Sequence, residues 1–428
     1  MISEFQPVSW SSDSNIYEVN LRQYTPEGSF RGFAKHLPRL RDMGVEILWF
    51  MPITPISKLG RLGTRGSYYA CSDYLNTNPE FGTIQDFQRL VDQAHELGFK
   101  VLIDWVANHT GLDHVWTSEH PSFYRKNTDG LFYDAHGWAD VIDLNYDSPE
   151  LRSAMIEAMQ FWVETARIDG FRCDMAHLVP LDFWREARIT LDSIKPLFWL
   201  AECEEIMYHE VFDASYTWKW LHVMEAYWKK NSDMQGLIQV LYYYRHQFPE
   251  NALRAFFTSN HDENSHSGTE YERMGEAAIP FAVFSCLYDG LPLIYSGQEI
   301  PNKKRLLFFD KDEIDWNQPS QLSDFYKTLL RLRKTNPALK GGIFGRKPTI
   351  LSNTVPENIL SFIRRYEQNE VLVLINFSAE TRSVIVTGQT VAGSYKDAFN
   401  SSGPDFISGQ PIRLNPWDYR VYALSLKL

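Results

Sequence analysis

The sequence predicts an α/β protein: a closed (β/α)8 barrel of the TIM type, a short inserted loop subdomain after the third strand, and a C-terminal all-β sandwich domain. Three observations carry this expectation. Eight short runs rich in Val, Ile, Phe and Trp recur between residues 16 and 296, interspersed with stretches of helical periodicity. Nearly continuous apolar strands alternating with helices indicate a parallel sheet buried on both faces, and eight of them suggest a closed barrel. From about residue 346 the pattern changes to alternating short runs separated by Gly, Pro, Asn and Ser, the signature of an all-β unit.

The strands are expected at 16–21 (IYEVNL), 46–51 (EILWFM), 100–106 (KVLIDWV), 168–174 (IDGFRCD), 197–202 (LFWLAE), 211–216 (VFDASY), 254–259 (RAFFTS) and 292–296 (PLIYS). Between them, 148–167 reads as a helix. Ser148 and Pro149 stand at its cap and first turn, Glu150 lies beside them, and Leu151, Met155, Ala158, Met159 and Trp162 share one face. Similar periodicity covers about 31–43, 83–97, 217–230, 270–288 and 320–335. Residues 107–147 carry Gly, His, Asp and Trp with little periodicity, as an insertion on the chemistry-bearing face of a barrel would. Strands of the tail are expected at 359–366, 371–377 and 419–425. The division is therefore a barrel over 1–106 and 148–345, an insert over 107–147, and a β domain over 346–428.

With 428 residues and 44% hydrophobic composition, the chain can bury one large core and one smaller one. A formal net charge of −12 argues against nucleic acid or an anionic membrane surface as partner. No apolar run reaches the roughly 18 to 20 residues of a spanning helix, and residues 1–15 resemble no export signal, so a cytoplasmic location is expected. The four cysteines, Cys71, Cys173, Cys203 and Cys286, lack metal-type spacing and read as reduced thiols. Aromatic residues reach 14%, and their rings can either fill the core or stack on flat apolar sugar faces.

Polar clusters terminate four of the strands: DWVANHT at 104–110, GFRCD at 170–174, AE at 201–202 and TSNHDEN at 258–264. In a barrel these C-terminal ends converge on one mouth. Singly, Asp174 could cap a helix and Asp262 could be a solvated loop acid. Together, acids, histidines and an arginine aimed at one point are too costly to bury without purpose. Paired carboxylates without a metal cage or phosphate loop suit glycoside cleavage, where one carboxylate attacks the anomeric carbon and a carboxylic acid protonates the leaving oxygen.

In this order and at these strand ends the clusters resemble the signature regions of the α-amylase family, retaining α-glucoside hydrolases and transglycosylases. SYYACSDYLNTNPEFGT at 67–83 resembles the family segment after strand two, VIDLN at 141–145 its motif closing the inserted domain, and the β tail its C-terminal sandwich. The resemblance implies that Asp174 is the nucleophile, Glu202 the general acid/base, and Asp262 the carboxylate that fixes sugar hydroxyls. It further implies that His109 and His261 donate to those hydroxyls, that Tyr69 stacks on the sugar, and that Asp104 buttresses the site. Arg172, two residues before Asp174 on the same strand face, can hold that carboxylate ionised and aimed, while the apolar setting of Glu202 favours its protonated form.

Where many members carry Lys and His three and four residues after the nucleophile, this chain has His177 and Leu178, which weakens an endo-amylase assignment. His177 is counted with the substrate-binding residues. No cofactor is required for the chemistry. Asn108 and Asp143 occupy positions that ligate a structural calcium ion in some members, and both offer oxygen donors. Cys173 and Cys203, beside the two catalytic carboxylates, read as packing residues facing away from the site. The expected activity is a retaining α-1,4-glucan hydrolase acting on starch, glycogen or maltooligosaccharides as a monomer. Trp116, Phe123, Tyr124, Trp138 and Phe309 are candidates for further sugar contacts. The alternatives are an exo-acting α-glucosidase, a cyclomaltodextrinase or a glucan transglycosylase with the same catalytic residues, and a barrel that has lost catalysis and serves as a glucan-binding or partner-binding module.

Overall fold

The computed structural model describes residues 5–317, 321–387, 395–400 and 406–424. Eight parallel strands close a barrel in sequential order: Ile16–Val19, Ile47–Phe50, Lys100–Trp105, Gly170–Cys173, Phe198–Ala201, Ala214–Tyr216, Leu253–Phe256 and Leu291–Tyr295. The circuit closes at the first strand, where Ile16 pairs with both Ile47 and Leu293. All eight expected runs are strands. Several stop short of their expected ends because the polar residues there leave the ladder and turn into the mouth.

Alternation along the fourth strand sorts its side chains. Arg172 pairs in register with Asp104 on the third strand, and residues two apart share a face, so Asp174 projects with them. Cys173 takes the opposite face as a fully buried free thiol, and Cys203 is likewise buried and free, as packing residues would be. At the start of this strand Gly170 has φ of 158°, and a Cβ there would stand 2.0 Å from the Phe198 carbonyl oxygen. Only glycine lets the fourth and fifth strands approach this closely.

The helix from Pro149 to Ala166 begins as expected, with the Ser148 side chain accepting the Leu151 N–H and the apolar face buried. Two expected helices are divided. Residues 31–43 split into Phe30–Ala34 and Leu37–Met43, with Pro38 in the first turn of the second. Residues 270–288 break at Gly275 (φ 52°), where a Cβ would overlap the Trp228 ring. Helices also form at Leu181–Asp192 and Met234–Gln247, to which the sequence reading assigns none. The second was legible from its Asp233 cap and the buried Met234, Leu237, Leu241 and Tyr244.

The insert after the third strand holds a short antiparallel ladder of His109–Gly111 with Val141–Asp143. In the tail, Thr349–Ile350, Ile359–Tyr366, Asn369–Asn376, Tyr419–Leu424 and Tyr395–Asp397 form a five-stranded antiparallel sheet in that order. One face covers a separate core with Val384, Val386 and Leu414 from two small ladders. The other joins the barrel core, with Phe362 against Phe284 and Tyr288, and Phe377 stacked on Phe281 at 4.5 Å. The ends of two expected segments, Ser320 and Ser425, lie outside the described residues. Among the described residues no helix is long and apolar enough to cross a membrane.

Candidate active site

At the C-terminal mouth of the barrel one guanidinium organises three carboxyl groups. Arg172 is fully buried. Its Nη1 donates to Asp104 Oδ1 and Asp174 Oδ1, both at 2.9 Å, and its Nη2 stands 2.9 Å from Glu202 Oε1 in an ion-pair approach. The guanidinium plane also lies over the Trp49 ring, 4.9 Å from its centre, so charge, fork geometry and stacking all fix it. Asp104 is locked further by Trp49 Nε1 at 3.2 Å and by the Tyr69 hydroxyl at 3.0 Å, which makes it a brace for Arg172 and Tyr69.

Burial pushes the Asp174 carboxyl up to about 6 against the pull of Arg172, and it pushes Glu202 up to about 7. Both are withdrawn from water, and the neighbouring acids add to the rise. Both carboxyls are therefore biased toward the protonated form. The backbone reinforces the arrangement. Met175, next after Asp174, is left-handed at φ 41°, ψ 45°, a conformation costing a non-glycine residue on the order of 1 to 3 kcal/mol. That turn delivers the Met175 N–H to Glu202 Oε2 at 2.8 Å.

Asp262 faces the pair from the loop after the seventh strand. Burial would raise its carboxyl, but His261, together with Arg172 and His266, outweighs burial and holds it down to about 2, with Nε2 of His261 3.1 Å from Asp262 Oδ2. His261 is 1% exposed and packs parallel to Tyr69 at 5.3 Å. Its Nε2 meets the Tyr69 hydroxyl at 2.7 Å and its Nδ1 meets Glu18 Oε1 at 2.5 Å. Both ring nitrogens are thus engaged by protein groups.

These groups border a cleft of about 610 Å³ whose lining includes Tyr69, His109, Asp174, Glu202 and Asp262. Burial holds the His109 imidazole down to about 4, so it is neutral, and it packs edge-on against Trp138. Exposed His177 sits on the short turn Ala176–Leu178 and does not line this cleft. Of the five candidate sugar-contact rings, Trp138 and Phe309 line it and the other three do not. Trp116 packs on Tyr74 and Phe123, while Phe123 and Tyr124 are buried in the insert. The cause is packing: Phe123 and Tyr124 belong to the hydrophobic core continuous with the barrel, and Trp116 packs against it. The sequence reading did not name Glu18, Met175, His266 or Phe308. Glu18 had a signal, a carboxylate within an apolar strand run; the placement of His266 and Phe308 depends on loop path.

One side of the cleft is a laced wall. Arg65 N donates to Phe309 O at 2.9 Å, Thr64 N to Asp310 Oδ1 at 2.8 Å, and Arg22 Nη1 to both Gly66 O and Phe308 O. The loops after the second and eighth strands are thereby joined behind Phe308 and Phe309.

Asp143 Oδ2 accepts the Ala135 N–H, while among the described residues its buried Oδ1 has no hydrogen-bond partner, and neither has the buried Oδ1 of Asp134. Asp134 lies within hydrogen-bonding reach of Asp143 and its charge adds to the burial that raises the Asp143 carboxyl. Two adjacent carboxylates with such oxygens are hard donors of the kind a calcium ion takes, while among the described residues no group of three or more His, Cys, Asp or Glu side chains is placed to hold a metal ion.

Residues 9–133 and 123–313 match the family described as alpha amylase, catalytic domain, and 352–427 match alpha amylase, C-terminal all-beta domain. Alpha-amylase MalA of Haloarcula japonica is 26% identical over 91% of this chain, which spans 60% of that relative's length. The crystal structure of an alpha-amylase from Lactobacillus plantarum superposes with a TM-score of 0.87 at 29% identity, covering 96% of this chain and 99% of that one. The maltogenic alpha-amylase AmyB of Thermotoga neapolitana gives 0.85 at 28%, with 96% of each chain covered.

Proposed function

The chain belongs to the alpha-amylase family of glycoside hydrolases, and from that we propose that it is a retaining α-1,4-glucan hydrolase acting on starch, glycogen or maltooligosaccharides. The observation that carries the reading is the single guanidinium shared by Asp174 and Glu202. It brings both carboxyls to one cation, and a retaining pair works at a separation of roughly 5 to 5.5 Å.

In this mechanism the Asp174 carboxylate attacks the anomeric carbon while Glu202 gives its proton to the glycosidic oxygen, releasing the first part of the chain. Glu202, now ionised, takes a proton from water, which attacks the same carbon and frees Asp174. Asp262 and His109 hold hydroxyls of the ring as it flattens, with Tyr69 against its face. No cofactor enters these steps. A calcium ion held by Asn108, Asp134 and Asp143 would brace the insert. Partners are the glucan substrate alone, the working form is a monomer, and the compartment is the cytoplasm.

The laced wall at Phe308 and Phe309 favours a second reading, in which the cleft accepts a chain from one side and acts as an exo-glucosidase, cyclomaltodextrinase or transglycosylase. A time course of products from maltoheptaose, soluble starch and cyclodextrin separates the two, with Glu202→Gln as the blank. A spread of short maltooligosaccharides from starch at early times establishes endo cleavage. Glucose or maltose alone, or products longer than the substrate, establish the second reading. First products of inverted anomeric configuration would overturn the two-step mechanism.

A further inference from the structure

Glu18 lies inside the first barrel strand, is fully buried, and has no place in the chemistry above. Its Oε1 receives the His261 backbone N–H at 3.3 Å and faces His261 Nδ1 at 2.5 Å, while its buried Oε2 has no hydrogen-bond partner among the described residues. A carboxylate in an apolar strand is expensive to bury, so its partner is informative.

Hydrogen accounting around the imidazole identifies that partner's state. Asp104 accepts from Arg172, from Trp49 and from the Tyr69 hydroxyl. The Tyr69 hydroxyl reaches both Asp104 Oδ2 at 3.0 Å and His261 Nε2 at 2.7 Å; with its one proton turned to Asp104, its oxygen accepts from Nε2. Nε2 therefore carries hydrogen, which Asp262 Oδ2 at 3.1 Å also attracts. On the other side of the ring a carboxylate can only accept, so Nδ1 carries hydrogen as well.

We propose that Glu18 is a positioning residue that holds His261 as a doubly protonated imidazolium and thereby fixes the ionised Asp262 carboxylate at the reacting sugar. This rests on the function proposed above for Asp262. The groups facing the imidazole come from every surrounding element: Glu18 on the first strand, the Trp49 ring on the second, Tyr69 on the following loop with Asp104 behind it, and Asp262 beside it. Phe308 covers the ring from the eighth-strand loop. The two carboxylates, Glu18 and Asp262, outweigh the burial that opposes a charged imidazole and raise its proton affinity. Asp262 in turn is held ionised by that charge. The positive ring is a fixed dipole-and-charge scaffold for a carboxylate that must not take up the proton travelling through Glu202.

The test is selective ¹⁵N-imidazole NMR of the whole chain across pH 5 to 9, with His261→Asn assigning the signal. In the wild type both His261 nitrogens are expected to remain protonated at pH 7 and above. In Glu18→Gln, which keeps the shape and a hydrogen-bond acceptor but loses the charge, the imidazole should titrate about one pH unit or more lower. With a glucan substrate, kcat should fall about tenfold or more while KM changes less than about twofold, the pattern of an interaction made in the transition state. Glu18→Asp, which keeps the charge on a shorter arm, should recover part of the loss. A neutral His261 in the wild type at pH 7 would overturn the proposal without any variant having to fold. So would a Glu18→Gln imidazole that titrates as in the wild type. The imidazole readout needs no turnover, so failure on every glucan would count against the proposed function and leave this inference to the NMR result.

Discussion

Replacing Arg172 by Met removes the cation that three buried carboxyl groups share while keeping an unbranched side chain of similar reach. Asp104, Asp174 and Glu202 each stand 2.9 Å from its guanidinium, and Arg172 and Asp104 are wholly buried. Taking one partner from a buried ion pair costs about 3 to 5 kcal/mol, which in a domain this large lowers Tm by roughly 5 to 10 °C. The pH dependence gives the sharper signature. Folded-state burial raises Asp174 to about 6 and Glu202 to about 7, both above their values in an unfolded chain. Groups raised in this way favour the folded state at low pH and withdraw that stability as pH climbs through the raised values. Without Arg172 the rise is larger, so the withdrawal extends to higher pH. The Tm difference between wild type and Arg172→Met should be small at pH 4.5, where the acids are protonated in both, and should widen to its full value by pH 8. Calorimetry at both pH values measures it. Arg172→Lys restores charge without the fork and should recover much of the Tm at pH 8 but little of the activity. An equal Tm difference at pH 4.5 and pH 8 would refute the reasoning, because the arginine would then act through packing alone.

Four further outcomes are expected. The pH profile of kcat/KM should be a narrow bell, rising and falling as the coupled Asp174 and Glu202 carboxyls, raised to about 6 and about 7, lose the first and the second proton of the pair; a plateau continuing to pH 9 would contradict this pairing. Trp138→Ala removes an accessible ring from the cleft and should raise KM for maltooligosaccharides by about 2- to 12-fold, matching about 0.5 to 1.5 kcal/mol of stacking, with kcat on short aryl glucosides little changed. Gly170→Ala places a methyl group 2.0 Å from the Phe198 carbonyl oxygen and should yield no folded protein by circular dichroism, whereas Gly130→Ala, in open space at a positive φ, should cost only about 1 kcal/mol. Calcium at millimolar concentration should raise Tm relative to chelator, and Asp143→Asn should abolish the rise; equal Tm values in both solutions would remove the proposed ion.

The sequence by itself determined the barrel, because each of its strands is an apolar run such as 46–51 or 100–106 that no solvent-facing element could carry. It also determined that Arg172 and Asp174 share a face, since residues two apart in a strand do so whatever surrounds them, whereas the register of the third and fourth strands brings Asp104 beside them. The break at Gly275 was not legible, because it depends on the distant Trp228 ring filling the space a Cβ would need. The rings of the insert were equally illegible one by one, since a Trp that stacks on sugar and a Trp that fills a core have the same composition. Only the tertiary structure decided that Trp138 lines the cleft while Trp116 packs on Tyr74. The same holds for the partners of His261. Glu18 stands 243 residues away and meets it only because the first and seventh strands lead to one mouth. Periodicity records which face of an element is apolar, whereas the protonation of a buried imidazole depends on charges that distant parts of the chain bring within hydrogen-bonding distance.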